Sequence, residues 1–528
     1  MPQIEINPEF QKALDIIEGT GKNLFLTGRA GTGKSTLLQY FRETTKKKIV
    51  VLAPTGVAAL NVKGQTIHSF FGFRPTITPD KVIKIPKKKQ AGTIYKKLDA
   101  IIIDEISMVR ADLLDCVEKF MRFNGKIPGK PFGGVQMVFI GDLFQIPPVV
   151  TKDEKFIFSE GHYASQYFFH AKCMSNFPVE FVELEKIYRQ QDERFIQLLN
   201  RIRNNSVDEK DIALLNSRVI ADFKPPEKEF FICLTPRNDQ ADEINRQHLD
   251  RIKSKKFIYQ GSIDGNFDEK SLPAKKSLEL KAGAQVMMLN NDSRSRWVNG
   301  SVGKIEKIIK GGYMDENDDP QDVVMVKISS GEPVAVTPYT WELYRFSYDE
   351  KKSSIKSETV GTFTQYPMML AWAVTIHKSQ GKTFDRVIID IGKGAFAHGQ
   401  VYVALSRCTT LEGIVLIKPI QKNHIWVDYR VVKFMTGFRY GISEKIMPLM
   451  EKISFIERAI REEKILDMTY LKSINEKSER QVKPVSVGQE DYKGYKYWAL
   501  RGFDSLSGTE RNFNVAKILD MDYWEKEV

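Results

Sequence analysis

Eight residues near the start of the chain, GRAGTGKS from Gly28 to Ser35, have the types and spacing that grip phosphate. They fit G-x-x-x-x-G-K-[ST], in which glycines let backbone N–H groups close around phosphate oxygens. The helix start that follows adds positive potential, Lys34 reaches the β and γ phosphates, and the Ser35 hydroxyl holds Mg²⁺. The expected cradle is Gly28, Ala30, Gly31, Thr32, Gly33, Lys34, Ser35 and Thr36. Further on, IIIDEIS carries Asp104 and Glu105 at the end of an apolar run, where open α/β sheets place ligands. Asp104 is expected to complete the Mg²⁺ shell and Glu105 to orient an attacking water. GDLFQIPPV adds Asp142 and Gln145, the second a candidate sensor of the γ-phosphate. No NKxD string selects guanine, so ATP is the expected nucleotide.

Such a loop works only between a strand and a helix, and NLFLT before it and TLLQYF after it supply both. KIVVLAP, AIIIDE and VQMVFIGD continue the series as buried strands of a sheet covered on both faces. FFICLTPR, DRVIIDIG and GIVLIKPI, interleaved with helical DQADEINRQHL and QVYVALSR, predict a second parallel sheet. Two stretches break the rhythm. From Phe71 to Leu98 the chain carries Lys81, Lys84, Lys87, Lys88, Lys89, Lys96 and Lys97, with no acid from Lys81 to Leu98. Between about Ala284 and Phe363, short alternating runs separated by Gly, Asn and Asp predict a small antiparallel barrel. A Lys/Glu-rich helical linker then leads into a strand-bearing segment from Ile453 to Val528.

Composition narrows the class. The chain has 528 residues, 42% of them hydrophobic and 28% charged, which is globular and long enough for several structural units. Lys plus Arg exceed Asp plus Glu by 79 to 67, a formal charge of +12 that favours a polyanionic partner. Cys116, Cys173, Cys233 and Cys408 form no CxxC pair, so neither a zinc cage nor a disulfide framework is expected. Without a leader-like start or a long uncharged apolar run, a cytoplasmic location, at the nucleoid in a bacterium, is expected, with no membrane association.

In order along about 400 residues come GRAGTGKST, APTGVAALNVKGQTIHSF, IIIDEISMV, GDLFQIPPV, YRQ, WAVTIHKSQG and YVALSR. The chain resembles the Pif-one (petite integration frequency) family of superfamily one, class B DNA helicases, relatives of RecD. KPFGGVQMVFIGDLFQIPP, Lys130 to Pro148, looks like that family's own signature. The resemblance implies an α/β fold with two RecA-like motor domains, ATP-driven 5′→3′ movement on single-stranded DNA, and unwinding of duplex or structured DNA. It implies arginine fingers at Arg189 and Arg407 and an adenine-contacting Gln11. It implies strand contacts at Pro54, Thr55, His68, Ser69 and Phe70, at Thr235, Pro236, Arg237 and Asn238, and at Thr375, His377, Lys378 and Ser379. Gln380 and Gly381 then couple strand to nucleotide. Phe70 and Phe71 fit a core role equally well.

The expected first motor domain is residues 1–70 and 99–180, with 71–98 as a basic wedge. The second is 181–283 and 364–440, interrupted by a barrel at 284–363 and followed by a linker at 441–452. The last segment, 453–528, resembles a WYL-type domain, a small β-barrel, with Tyr470, Arg480, Tyr497, Trp498, Leu500, Arg511 and Phe513 at its motif positions. A monomer acting on single-stranded DNA and single/double-strand junctions is expected, with G-quadruplex and RNA–DNA hybrid as further candidate partners. The rival is an ATP-gated binding switch that clamps single-stranded nucleic acid without processive unwinding.

Overall fold

The computed structural model describes residues 5–86, 94–150, 154–159, 162–226, 229–267, 269, 272–314, 318–328, 331–349, 352, 354–392, 397–472, 475–492 and 494–524. Lys87, Lys88 and Lys89 of the basic stretch lie outside them. The chain divides into two compact units, Met1–Leu199 with Glu209–Ile425, and Asn200–Asp208 with Trp426–Val528.

In the first unit, strand Asn23–Gly28 carries the phosphate-gripping loop and is buried along almost its whole length. It lies in a six-stranded parallel sheet whose order is Gln65–Thr66, Ile49–Ala53, Ala100–Ile103, Gln136–Ile140, Asn23–Gly28 and Val179–Leu184. Leu24, Leu26, Ile102, Val138 and Ile140 pack there against Phe10, Ala13 and Ile17 of helix Pro8–Gly19 and Leu37 and Phe41 of helix Lys34–Thr44. The expected boundary at 180/181 falls inside strand Val179–Leu184, which pairs with the loop-bearing strand from Asn23↔Val179 to Gly28↔Leu184. At this edge of the sheet Phe181, Val182 and Leu184 are buried, while Glu180 and Glu183 stay partly exposed.

The second parallel sheet runs Ala373–Thr375, Ile232–Thr235, Val387–Ile389 and Ile414–Leu416. Thr375 and Thr235, far apart in sequence, are register partners at the ends of adjacent strands.

The interruption is larger than the expected barrel at 284–363, and it is not one barrel. Strand Lys256–Gln260 pairs with Ser277–Lys281, a five-stranded sheet runs from Pro333–Val336 to Met368–Leu370, and Ser262–Gly265 joins the long hairpin Tyr339–Asp349/Ser354–Gln365. Two apolar clusters, one around Val286, Met288 and Val326 and one around Trp341 and Phe363, replace a single barrel interior. In the wedge region the described residues form two short 3₁₀ turns, Pro79–Lys81 and Ile94–Lys96. Phe71 and Phe73 stack beside Tyr95 and Phe120, so Phe71 is core.

In the second unit, residues 426–452 form neither a motor-domain tail nor a linker. Helices Tyr429–Ile446 and Leu449–Arg461 belong to the C-terminal unit, where Ser443 Oγ donates to Ile518 O at 2.9 Å. Ile453, Ile456 and Ala459 recur at helical spacing and close over Leu466, Val482, Leu500 and Phe513. The antiparallel sheet has the order Thr509–Asn514, Tyr495–Asp504, Lys477–Tyr492, Leu466–Leu471, Ile518–Tyr523. Its two outer strands pair only inward, so the expected barrel is open there, bridged by the 3₁₀ turn Val515–Lys517. Buried Asp504 holds Arg480 at 2.8 Å, and Tyr470 packs edge-on against Phe513.

Candidate active site

Helix Lys34–Thr44 begins directly at the phosphate loop, with Gly33 as its N-cap at φ +86. Gly31, at φ +83, has no room for a side chain: a Cβ there would lie 2.5 Å from Arg189 Cβ. That close approach sets Arg189 against the loop, and the Tyr188 N–H donates to Gly31 O at 2.9 Å. Lys34 Nζ donates to the carbonyls of Gly28 and Arg29 at 2.8 and 2.9 Å.

The loop forms one wall of a cleft of about 830 Å³. Ala30, Gly31, Thr32, Gly33, Lys34, Ser35 and Thr36 line it, with Glu105 and Gln145 from neighbouring strands of the same sheet. The opposite wall comes from the second sheet's loops, through Gly381, Thr383 and Arg407. Helix Gln400–Leu405 also reaches across: the Ala30 N–H donates to the Tyr402 hydroxyl at 3.1 Å.

Arg407 is almost wholly buried, its Nε donating to Val403 O at 2.9 Å and its Nη2 to Ser406 Oγ at 2.8 Å. Burial, then the neighbouring Arg189 charge, lowers its pKa to about 9, while Tyr402, Glu105 and Asp142 oppose the shift. Arg189 Nη1 donates to Ser406 O at 3.2 Å, so both arginines are braced on one turn. Across from them, burial drives Glu105 above the usual carboxylate range, with Lys34 and Arg407 pulling it back and Asp142 pushing it up. Asp104 is raised for the same first reason, and next by Glu105 itself. Glu105 holds a left-handed backbone, φ +49, at the turn after its strand. Three cations around two reluctant carboxylates suit a polyphosphate, whose negative charge relieves the cations.

The remaining expected residues separate into groups. Gly28 and Asp104 lie behind the cleft wall: a Cβ at Gly28 would meet Thr32 Oγ1, and Asp104 is buried beneath Glu105's turn. Gln11 does not line the cleft; it is exposed, its amide on Asp15, and the neighbouring Phe10 lines the cleft together with Tyr188. Pro54, Thr55 and His68 line a second, smaller cavity of about 310 Å³ beside Arg110. Thr55 Oγ1 accepts from the Ala58 N–H, and Ser69 Oγ accepts from Gln65 Nε2.

For Phe70 the packing fits the core alternative. It is buried, its ring packed among Phe71, Tyr95 and Phe346. Thr235, Thr375 and Ser379 are buried, and their hydroxyls bond within their own turns, to Arg237 O, the Lys378 N–H and Ile376 O. They shape the loops. Pro236, Arg237, Asn238, His377 and Lys378 stand further out on the same loops, Arg237 paired with Asp239. Tyr188, Phe10 and Tyr402 were missed by motif reading. Tyr188 precedes Arg189 directly, and Tyr402 lies five residues before Arg407, so each had a neighbouring signal.

The PIF1-like helicase family profile matches residues 5–212, and the WYL domain profile matches residues 451–522. The ATP-dependent DNA helicase Pif1 of Bdellovibrio bacteriovorus is 32% identical over 446 residues, covering 83% of this chain and 93% of that protein. ATP-dependent DNA helicase PIF1 of Emericella nidulans is 31% identical over 82% of this chain, which spans 64% of that longer relative. Bacteroides sp. Pif1 in complex with ADP-AlF4 matches at 37% identity and a TM-score of 0.73, covering 83% of this chain and 98% of that one. Bacteroides Pif1 bound to ssDNA matches at 37% identity and a TM-score of 0.58, covering 82% and 97%. With the cleft built between two parallel sheets and the Bdellovibrio and Bacteroides relatives matched over nearly their full lengths, the chain belongs to the PIF1-like helicase family of ATP-driven DNA helicases and carries a WYL domain at its C-terminus.

Proposed function

We propose that the chain moves 5′→3′ on single-stranded DNA at the expense of ATP, unwinding duplex or structured DNA ahead of it. One observation carries the reading: the phosphate loop of the first sheet faces Arg407 and Tyr402 of the second across one cleft. A triphosphate there draws the two sheets together, and its hydrolysis releases them.

Within the cleft, Lys34 binds the β and γ phosphates and Glu105, once ionised, orients a water and takes its proton as the water attacks the γ-phosphorus. ADP departs with the bridging oxygen, and the proton leaves Glu105 with phosphate. Arg189 and Arg407 offset the charge spread over the γ oxygens, and Gln145 reads whether they are present. Ser35 and Asp104 offer a hydroxyl and a carboxylate, the oxygen donors Mg²⁺ prefers, and would hold it together with phosphate oxygens and water. The ion supplies charge neutralisation at the β and γ oxygens. Phe10 and Tyr188 line the cleft and offer ring faces suited to the adenine, and Gln11, next to Phe10 but outside the lining, reads its edge once its amide leaves Asp15.

Single-stranded DNA follows the loops carrying Pro54, Thr55, His68 and Ser69, then Thr235, Pro236, Arg237 and Asn238, then Thr375, His377, Lys378 and Ser379. Gln380 and Gly381 join that path to the cleft. The basic segment 71–98 acts at the fork, where each base-pair step opposes opening by roughly 1.4 kcal/mol of stacking. The working form is a monomer in the cytoplasm, and forks, G-quadruplexes and RNA–DNA hybrids are substrates to compare. A partial duplex with either a 5′ or a 3′ tail tests the reading. Unwinding of the 5′-tailed substrate alone is expected; unwinding of the 3′-tailed one alone reverses the polarity, and strand binding with no unwinding of either favours the ATP-gated clamp.

A further inference from the structure

Three polar side chains from three separate parts of the chain meet beside the strand-contacting loops. Lys382 closes the turn that begins at Thr375, its N–H donating to Ser379 O at 3.0 Å. Asn299 lies in the loop before strand Val302–Met314, and Asn61 ends the helix capped by Thr55. The Lys382 ammonium donates to Oδ1 of Asn299, whose Nδ2 donates to Oδ1 of Asn61 at 3.2 Å. Two further features hold the loop in place. The Asn299 N–H donates to Asn291 Oδ1 at 2.8 Å, and Gly300, at φ +100, lies so close that a Cβ would be 3.3 Å from Lys382 Cβ.

None of these partners is an acid. Burial lowers the Lys382 pKa to about 8, and no carboxylate among the described residues counters it. An ammonium that spends one N–H on an amide oxygen keeps donors in reserve, and both asparagine amides add more. The cluster is rich in donors and short of negative charge, which is the complement of a phosphodiester.

We propose that Lys382, Asn299 and Asn61 form a seat for one backbone phosphate of the single strand, between the loop of Thr55 and the loop of Thr375 and His377. The inference rests on the single-strand reading above. Because Asn299 comes from the interrupting antiparallel region, the seat needs all three parts of the first unit.

The test is anisotropy of labelled oligothymidine with the full chain over a tenfold range of KCl. Losing one phosphate contact on a single strand flattens the slope of log affinity against log salt by about 0.7. The advantage of the wild type over Lys382→Met therefore shrinks about fivefold across that range, and Lys382→Arg restores the wild-type slope. Asn299→Asp, nearly the same shape, sets a carboxylate on the ammonium and flattens the slope equally, which covers the case of a Met variant that fails to fold. An unchanged slope in a folded Lys382→Met or Asn299→Asp variant overturns the seat while leaving strand binding intact. No binding by the wild type removes the single-strand reading itself.

Discussion

Gln380 donates its side-chain N–H to Oε1 of Gln145 at 3.3 Å, and Gln145 donates in turn to Oδ2 of Asp142 at 3.3 Å. The first bond crosses from the second parallel sheet to the first, between the turn that begins at Thr375 and the residue lining the nucleotide cleft. Gln380→Ala removes a neutral hydrogen bond of about 1 kcal/mol, expected to lower DNA-stimulated ATP turnover about fivefold with ADP affinity held. Parallel steady-state kinetics and ADP titration check it; a fall in ADP affinity of the same size would show a merely local effect.

Lys34→Ala and Glu105→Gln are expected to abolish ATP turnover while oligothymidine binding is largely retained, because both lie in the cleft and neither lies on the loops proposed to contact the strand. Phosphate release and strand anisotropy on the same preparations separate the two. Abolished strand binding in a folded variant contradicts that division of labour.

Asp104 is held above the usual carboxylate range by burial and by Glu105. The unfolded chain therefore ionises this group at lower pH than the folded one, so its favourable contribution is complete below the unfolded pKa and is lost as pH rises through the raised folded value, about 7. Asp104→Asn removes the ionisation. Without nucleotide, the variant is expected to melt higher than wild type above pH about 7, with the gain fading toward pH about 4. Thermal melts across that range check the sign; a gain that grows toward acid refutes it.

Gly31→Ala combines left-handed strain of about 1–2 kcal/mol with the Cβ placed 2.5 Å from Arg189 Cβ. Nucleotide binding weaker by roughly tenfold is expected, measured by calorimetry with ADP. Unchanged binding would mean that the loop can move away from Arg189 at little cost.

In the C-terminal unit, Asp504 is fully buried and holds Arg480 at 2.8 Å. Asp504→Ala strands a buried guanidinium at a cost of about 3–5 kcal/mol. Hydrogen exchange should accelerate across strands Lys477–Tyr492 and Tyr495–Asp504, whereas strand Asn23–Gly28 keeps its protection.

The phosphate loop and the groups that line its cleft were legible because their signals are local. GRAGTGKS needs only consecutive residues between a strand and a helix, and Glu105 and Gln145 each follow an apolar run whose burial could be read from its β-branched and aromatic content. Strand Ala373–Thr375 escaped that reading because WAVTIH lacks the continuous aliphatic run that marks the equally short Val387–Ile389 and Ile414–Leu416.

Contacts between distant segments were out of reach. Motif order left Phe70 open between strand contact and core, and its packing against Tyr95 and Phe346, distant in sequence, fits the core. By sequence, residues 426–440 read as the tail of the second motor domain and 441–452 as a linker, and only their packing against the C-terminal sheet makes them part of that unit. The sequence by itself determined the two parallel sheets, the phosphate loop and the types of group around it, because period and spacing are properties of neighbouring residues. Tertiary structure alone decided that Tyr402 meets Ala30, that Gln380 meets Gln145 and that Lys382 meets Asn299, because a side chain's partner across a long loop depends on how whole elements pack.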